Sequence, residues 1–120
     1  MSWRIEWSPG TKSDLDNLDG SLKPFVLKVI QERLSKDPEK YGEPLTGSLF
    51  GLRKYRVRFL RVVYAVSPEK REVIIVAIGM RKAGEVYETA TERIRYLREQ
   101  VEVRGKKVEE IFRKLADKDE

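Results

Sequence analysis

The chain has 120 residues, the length of one domain with one modest core. It contains no cysteine and no histidine, which excludes disulfides, thiolate zinc sites, cysteine nucleophiles and any Ser-His-Asp triad. The formal net charge of +5 comes from one segment: residues 50–66 hold Arg53, Lys54, Arg56, Arg58 and Arg61 and no acid, and without these five the remaining basic residues equal the acids in number. A positive field this concentrated attracts polyanions, although a solvated charged strand would have the same composition. No apolar run approaches the length that spans a bilayer, and Met1-Ser2-Trp3-Arg4 has no signal-peptide core, so the expected location is the cytoplasm with no membrane contact.

In chain order, residues 3–7 alternate apolar and polar and predict a short half-buried strand. Ser8 is expected to cap a helix that has Pro9 at its first position and Leu15 and Leu18 on its buried side. A second helix is expected over residues 21–35, where Phe25, Val26, Val29, Ile30 and Leu34 recur at helical spacing, with Asp37-Pro38 closing it. These two helices read as an antiparallel pair covering one face of a sheet. Residues 39–48, with Gly42, Pro44 and Gly47, read as a loop.

Three strands follow, over residues 49–57, 60–66 and 72–78. The third is nearly continuous in apolar residues and so is expected to be central, with both faces buried. Short connections make the three an antiparallel meander that Gly79 ends. A helix is expected from Gly84 to about Gln100, with Val86, Ala90, Ile94 and Leu97 at helical spacing. A last amphipathic helix over residues 106–116 carries Val108, Ile111, Phe112 and Leu115. The predicted fold class is α+β: an antiparallel sheet of about four strands, the N-terminal strand plus the meander, packed by a helical hairpin and a C-terminal helix. Residues 1–97 form the domain, and residues 98–120 a helical extension of it.

Strand periodicity places Lys54, Arg56 and Arg58 on one face, and a hairpin brings Arg61 alongside them. Past the last strand, Arg81, Lys82 and Tyr87 flank Gly84, where the chain turns from sheet to helix. A phosphate there would meet guanidinium groups and a phenol. Taken alone, Arg81 better suits an ion pair with Glu85, and Tyr87 a core position at a helix start.

The stretch Gly51-Leu52-Arg53-Lys54-Tyr55-Arg56-Val57-Arg58-Phe59-Leu60-Arg61-Val62-Val63-Tyr64 resembles the central signature of the RelE/ParE toxin superfamily of type II toxin-antitoxin systems. The same resemblance extends to the opening strand, the Leu15/Leu18 helix, Asp37-Pro38, Pro44-Leu45-Thr46-Gly47, Ile78-Gly79-Met80-Arg81 and Glu85-Val86-Tyr87. It implies a RelE-like fold and a toxin that cuts ribosome-bound mRNA without metal or cofactor. Lys54, Arg56 and Arg61 then match residues that contact and polarise the mRNA phosphate. Arg81 matches an arginine near the leaving group, and Tyr87 a tyrosine that stacks on a base or assists proton transfer. Arg53, Arg58 and Lys82 join as RNA-binding residues. The implied partners are a cognate antitoxin, mRNA and ribosomal RNA. At the hairpin turn this chain reads Arg58-Phe59 where a Gly-Asp-like turn is usual. A tight turn with positive φ is unfavourable without glycine, so the expectation is either a longer hairpin or an extra phosphate contact from Arg58.

Two other readings stay open. A ParE-like inhibitor of DNA gyrase would share the fold and the central signature, but that branch generally lacks the Arg81 and Tyr87 set. A non-catalytic nucleic-acid binder would need only the basic stripe, and its binding would fall steeply with salt. The apolar stripe of residues 106–116 would serve packing on its own domain as well as an interface with a second copy or with an antitoxin.

Overall fold

The computed structural model describes residues 2–80 and 85–101. Strand β1 (Arg4–Trp7) leads into helix α1 (Thr11–Asp16) and helix α2 (Leu22–Val29), which continues through a π turn at Ile30–Leu34. Helix α3 (Pro38–Tyr41), strand β2 (Glu43–Pro44) and a 3-10 turn at Gly47–Leu49 precede strands β3 (Arg53–Val57), β4 (Leu60–Ser67) and β5 (Glu72–Met80), and helix α4 (Glu85–Val101) follows. The result is α+β, with a five-stranded sheet in the order β1-β5-β4-β3-β2.

The meander β3-β4-β5 is antiparallel, as expected. β1 departs from the expected antiparallel sheet: it runs parallel to β5, with Arg4 opposite Glu72 and Trp7 opposite Ile75. A parallel neighbour needs a crossover, and α1 and α2 supply it. Arg4 makes an ion pair with the fully buried Glu72 of the same rung, which fixes the register.

Side-chain alternation divides the core into two layers. On one face of the sheet Val57, Leu60, Val62, Tyr64, Val73, Ile75 and Ile78 pack against Leu15, Val26, Val29, Ile30 and Leu34 of the helical hairpin. On the other, Leu52, Val63, Ala65, Ile74, Val76 and Ala77 pack against Val86, Ala90 and Ile94 of α4. β5 is buried from Glu72 to Ile78, as its apolar run requires. The strand continues through Gly79 to Met80 rather than ending at the glycine. Gly79 stays in the ladder because a Cβ there would lie 3.0 Å from Val86 Cβ, so the missing side chain lets α4 come close.

Local chemistry explains the remaining differences from expectation. Ser8 does not cap α1. Its hydroxyl donates to Ile75 O at 2.7 Å, and Gly10, at φ 93, takes the cap position. Asp37 opens a helix as well as following one, since its carboxylate accepts from Lys40 N at 3.3 Å at the start of α3. The region expected to be wholly loop thus contains α3, β2 and the 3-10 turn. The predicted helix over residues 106–116 lies outside the described residues.

Candidate nucleic-acid interface

β3 alternates between the two core layers. Tyr55 and Val57 pack toward the helical hairpin, and Leu52 packs toward α4. Lys54 and Arg56 therefore stand on the α4 face. On β4, Arg61 lies between Leu60 and Val62, both on the hairpin side, and so shares that face with Lys54 and Arg56. The register sets Arg56 directly opposite Arg61, and Lys54 opposite Val63. Directly opposed Cβ atoms are about 5 Å apart, and residues two apart on a strand about 7 Å. α4 covers the β4–β5 side of this face, where Tyr87 is half-buried against the same core layer. Arg56 stays exposed, while Lys54 and Arg61 are half-buried.

Opposed like charges cost stability. Among the described residues no carboxylate pairs with Arg56, Arg58 or Arg61. Lys54 has only Glu43, its opposite on β2, with Nζ to Oε2 at 4.0 Å, the outer limit of an ion pair. Arg61 Nη1 donates to the carbonyls of Arg58, at 3.3 Å, and Leu60, at 3.0 Å. The shoulder beyond α4 is thus a group of cations in which only Lys54 has an acid within reach, and such a surface suits a polyanion.

The other predicted cations have different positions. Arg53 is on the hairpin face, and its Nη2 donates to the carbonyls of Glu39 (2.8 Å) and Gly42 (2.7 Å), tying the 39–42 segment to β3. Arg58 does not continue the stripe of Lys54 and Arg56. The hairpin is a tight two-residue turn, since Val57 pairs with Leu60, and not the longer one allowed for. Arg58 adopts φ 55 in it, and its guanidinium lies 4.6 Å from the centroid of the Phe25 ring, against the hairpin layer. Cation–π attraction there offsets part of the cost of the left-handed backbone. Arg81 and Lys82 lie outside the described residues. The sequence reading missed an ion pair that holds α4 in place: Arg93 of α4 donates to both oxygens of Asp14 on α1, at 2.8 and 2.9 Å.

Among the described residues no group of three carboxylate, histidine or cysteine side chains could hold a metal ion, and no helix is long and apolar enough to cross a membrane.

A five-stranded sheet with a helical hairpin on one face and a single helix on the other, leaving a cationic shoulder, defines a RelE-like toxin fold. Solved structures of that kind superpose on the chain. The toxin-antitoxin complex RelBE2 of Mycobacterium tuberculosis matches with a TM-score of 0.65 at 23% identity, covering 68% of this chain and 100% of the other. A mutant of the Escherichia coli toxin RelE in the free state gives 0.62 at 26%, covering 78% and 99%. The RelE–RelB complex of the archaeon Pyrococcus horikoshii gives 0.54 at 22%, covering 69% and 99%. No curated protein matches the chain with significance. The family model for the ParE toxin of type II toxin-antitoxin systems, parDE, matches residues 5–83, and the chain belongs to that family within the RelE/ParE superfamily.

Proposed function

We propose that this toxin is a metal-independent endoribonuclease that cuts mRNA on the ribosome, using Lys54, Arg56, Arg61, Arg81 and Tyr87. The observation that carries this reading is the shared face of Lys54, Arg56, Arg61 and Tyr87, with Arg56 and Arg61 directly opposed and unneutralised. The similarity to E. coli RelE supports it.

In the proposed reaction the ribose 2′-oxygen attacks the adjacent phosphorus as the bond from phosphorus to the 5′-oxygen breaks. The 2′-hydroxyl proton leaves to an acceptor, and the departing 5′-oxygen gains one. The products are a 2′,3′-cyclic phosphate and a 5′-hydroxyl end. The transition state gathers negative charge on the phosphoryl oxygens, and cations already fixed in place stabilise it without reorganising. Lys54, Arg56 and Arg61 take that role, Tyr87 relays a proton or stacks on a base, and Arg81 attends the leaving oxygen. Arg53 has its Nη2 engaged by carbonyls and serves RNA only through its charge, whereas Arg58 and Lys82 are candidate backbone contacts. The partner that silences the toxin would be a cognate antitoxin, as in the RelBE complexes.

The family description favours a second reading, inhibition of DNA gyrase in the manner of ParE. Primer extension on mRNA from a translation reaction, run beside a gyrase supercoiling assay, separates the two. Cuts with 5′-hydroxyl ends that vanish in Arg61→Ala and Arg81→Ala support the ribonuclease. Intact mRNA with blocked supercoiling would replace it with the gyrase reading.

A further inference from the structure

The β3–β4 turn breaks a local rule. Two-residue hairpin loops ordinarily place Asn, Asp or Gly where φ is positive, because a Cβ there meets the following carbonyl. Here the two loop residues are Arg58, at φ 55, and Phe59. Both are bulky, and Phe59 is 58% exposed. Burial does not account for an exposed phenylalanine on a strained turn. Strained backbone that the surrounding structure holds in place is concentrated at functional sites.

The turn is held from two sides. The Arg58 guanidinium rests on the Phe25 ring, 4.6 Å from its centroid. Arg61 Nη1 donates to the carbonyls of Arg58 and Leu60, the residues on either side of Phe59. Arg61 thus braces the backbone on both sides of Phe59, and the exposed ring projects from the same turn that the Arg61 guanidinium holds. These bonds use Nη1 alone, and Arg61 Nη2 and Nε have no protein partner among the described residues. A guanidinium has donors enough to brace a turn and still meet an anion.

We propose that the β3–β4 hairpin tip grips a nucleotide of single-stranded RNA, with Phe59 stacking on the base of the nucleotide whose phosphate lies on the Arg56–Arg61 pair. The inference rests on the reading above that this face holds an RNA phosphate. It adds a base-contacting residue on the strand side of the site, apart from Tyr87 on α4. Every base offers a π face, so the grip tolerates any sequence. It needs an unpaired base, because a base stacked within a duplex has no free face. The hairpin tip thus selects single strands, while the cations alone would accept any polyanion.

The test measures binding of the full chain to two fluorescein-labelled RNAs by anisotropy: a short unstructured oligomer, and one of equal length with abasic residues. Phe59→Ala is expected to weaken binding of the base-bearing oligomer about tenfold and to leave the abasic one unchanged, as loss of one stacking contact predicts. Phe59→Trp, which keeps a ring, should restore wild-type binding. Thermal unfolding of each variant confirms that the exposed position leaves the fold intact. Equal losses on both oligomers, or none on either, would overturn the proposal; no loss on either would leave Phe59 to a protein partner. A wild-type chain that binds neither oligomer would overturn the grip on single-stranded RNA, while cuts in mRNA from the translation reaction decide the ribonuclease reading separately.

Discussion

Arg56 and Arg61 face each other across the β3–β4 ladder, two guanidinium groups on one rung with no carboxylate set against either among the described residues. A sheet selected for stability alone would place an acid or a β-branched residue on one side, since opposed like charges cost roughly 0.2–1 kcal/mol. The pair is therefore evidence that this rung is kept for a ligand. Replacing Arg56 with Thr should raise the unfolding midpoint by a few degrees while abolishing toxicity. Calorimetry and a growth-inhibition assay on the same variant check both parts. A variant that is less stable than the parent, or stays toxic, contradicts the assignment.

Arg93 and Asp14 complete a defect in the sheet. The register between β4 and β5 slips at Val63/Tyr64, leaving Val76 as an extra residue on β5. The Val76 carbonyl accepts from Arg93 Nη1 at 2.6 Å, and Ile78 N donates to Asp14 Oδ2 at 3.0 Å. The ion pair thus satisfies the carbonyl of the bulge residue Val76 and the amide of Ile78 close by, and it joins α1 to α4. Arg93→Ala should cost about 2–4 kcal/mol, because it removes the counter-charge of a largely buried carboxylate, which keeps only the Ile78 amide, and the main donor to the Val76 carbonyl. Hydrogen exchange should quicken in α4 and hold in the β3–β4 hairpin. Uniform loss of protection would mean that the pair supports the whole domain and not the seating of α4.

The sequence displayed some of these relationships and concealed others for a physical reason. Alternation at period two, plus a short turn, was enough to bring Lys54, Arg56 and Arg61 to one face, because both constraints act over neighbouring residues. The α+β class and the buried β5 followed from composition patterns of the same local kind. The parallel pairing of β1 with β5 joins residues 68 positions apart, as Arg4 with Glu72, and no local pattern encodes it. Asp14 and Arg93, 79 positions apart, are equally silent. Arg53 entered as an RNA-binding residue through the family resemblance, but period two sets it on the face opposite Lys54, where it ties down residues 39–42. Arg58 left the stripe because a two-residue turn rotates it onto Phe25.

Gly42 is fixed by Tyr64. A Cβ at residue 42 would lie 1.9 Å from the Tyr64 hydroxyl oxygen and 3.0 Å from Lys54 O. Tyr64 is fully buried and cannot move aside, and Lys54 O is backbone of β3. Gly42→Ala should therefore destabilise by about 1–3 kcal/mol, the usual range for overpacking. It should also displace β2 and β3 beneath Lys54, so affinity for RNA should fall further than stability does. Denaturant unfolding and anisotropy on one preparation separate the effects. A Gly42→Ala chain with the parent's midpoint would show that the backbone here yields freely.

The Tyr64 hydroxyl donates to Pro38 O at 2.5 Å, tying the centre of β4 to the start of α3. Burial raises its pKa above the ordinary 10.0, and this outweighs the opposing hydrogen bond and charge of Arg53. Because the folded value lies above the unfolded one, the protonated phenol favours the fold. That contribution is complete below pH 10 and is lost as pH climbs through the folded pKa, since the unfolded chain gives up the proton first. Tyr64→Phe should cost about 1–2 kcal/mol at neutral pH, from the lost donor to a buried carbonyl. It should also flatten the alkaline limb of the stability curve, so that the gap between variant and parent narrows with rising pH. Unfolding midpoints of both chains from neutral pH to beyond the tyrosine range test this, and a gap that stays constant or widens would place the alkaline titration at another residue.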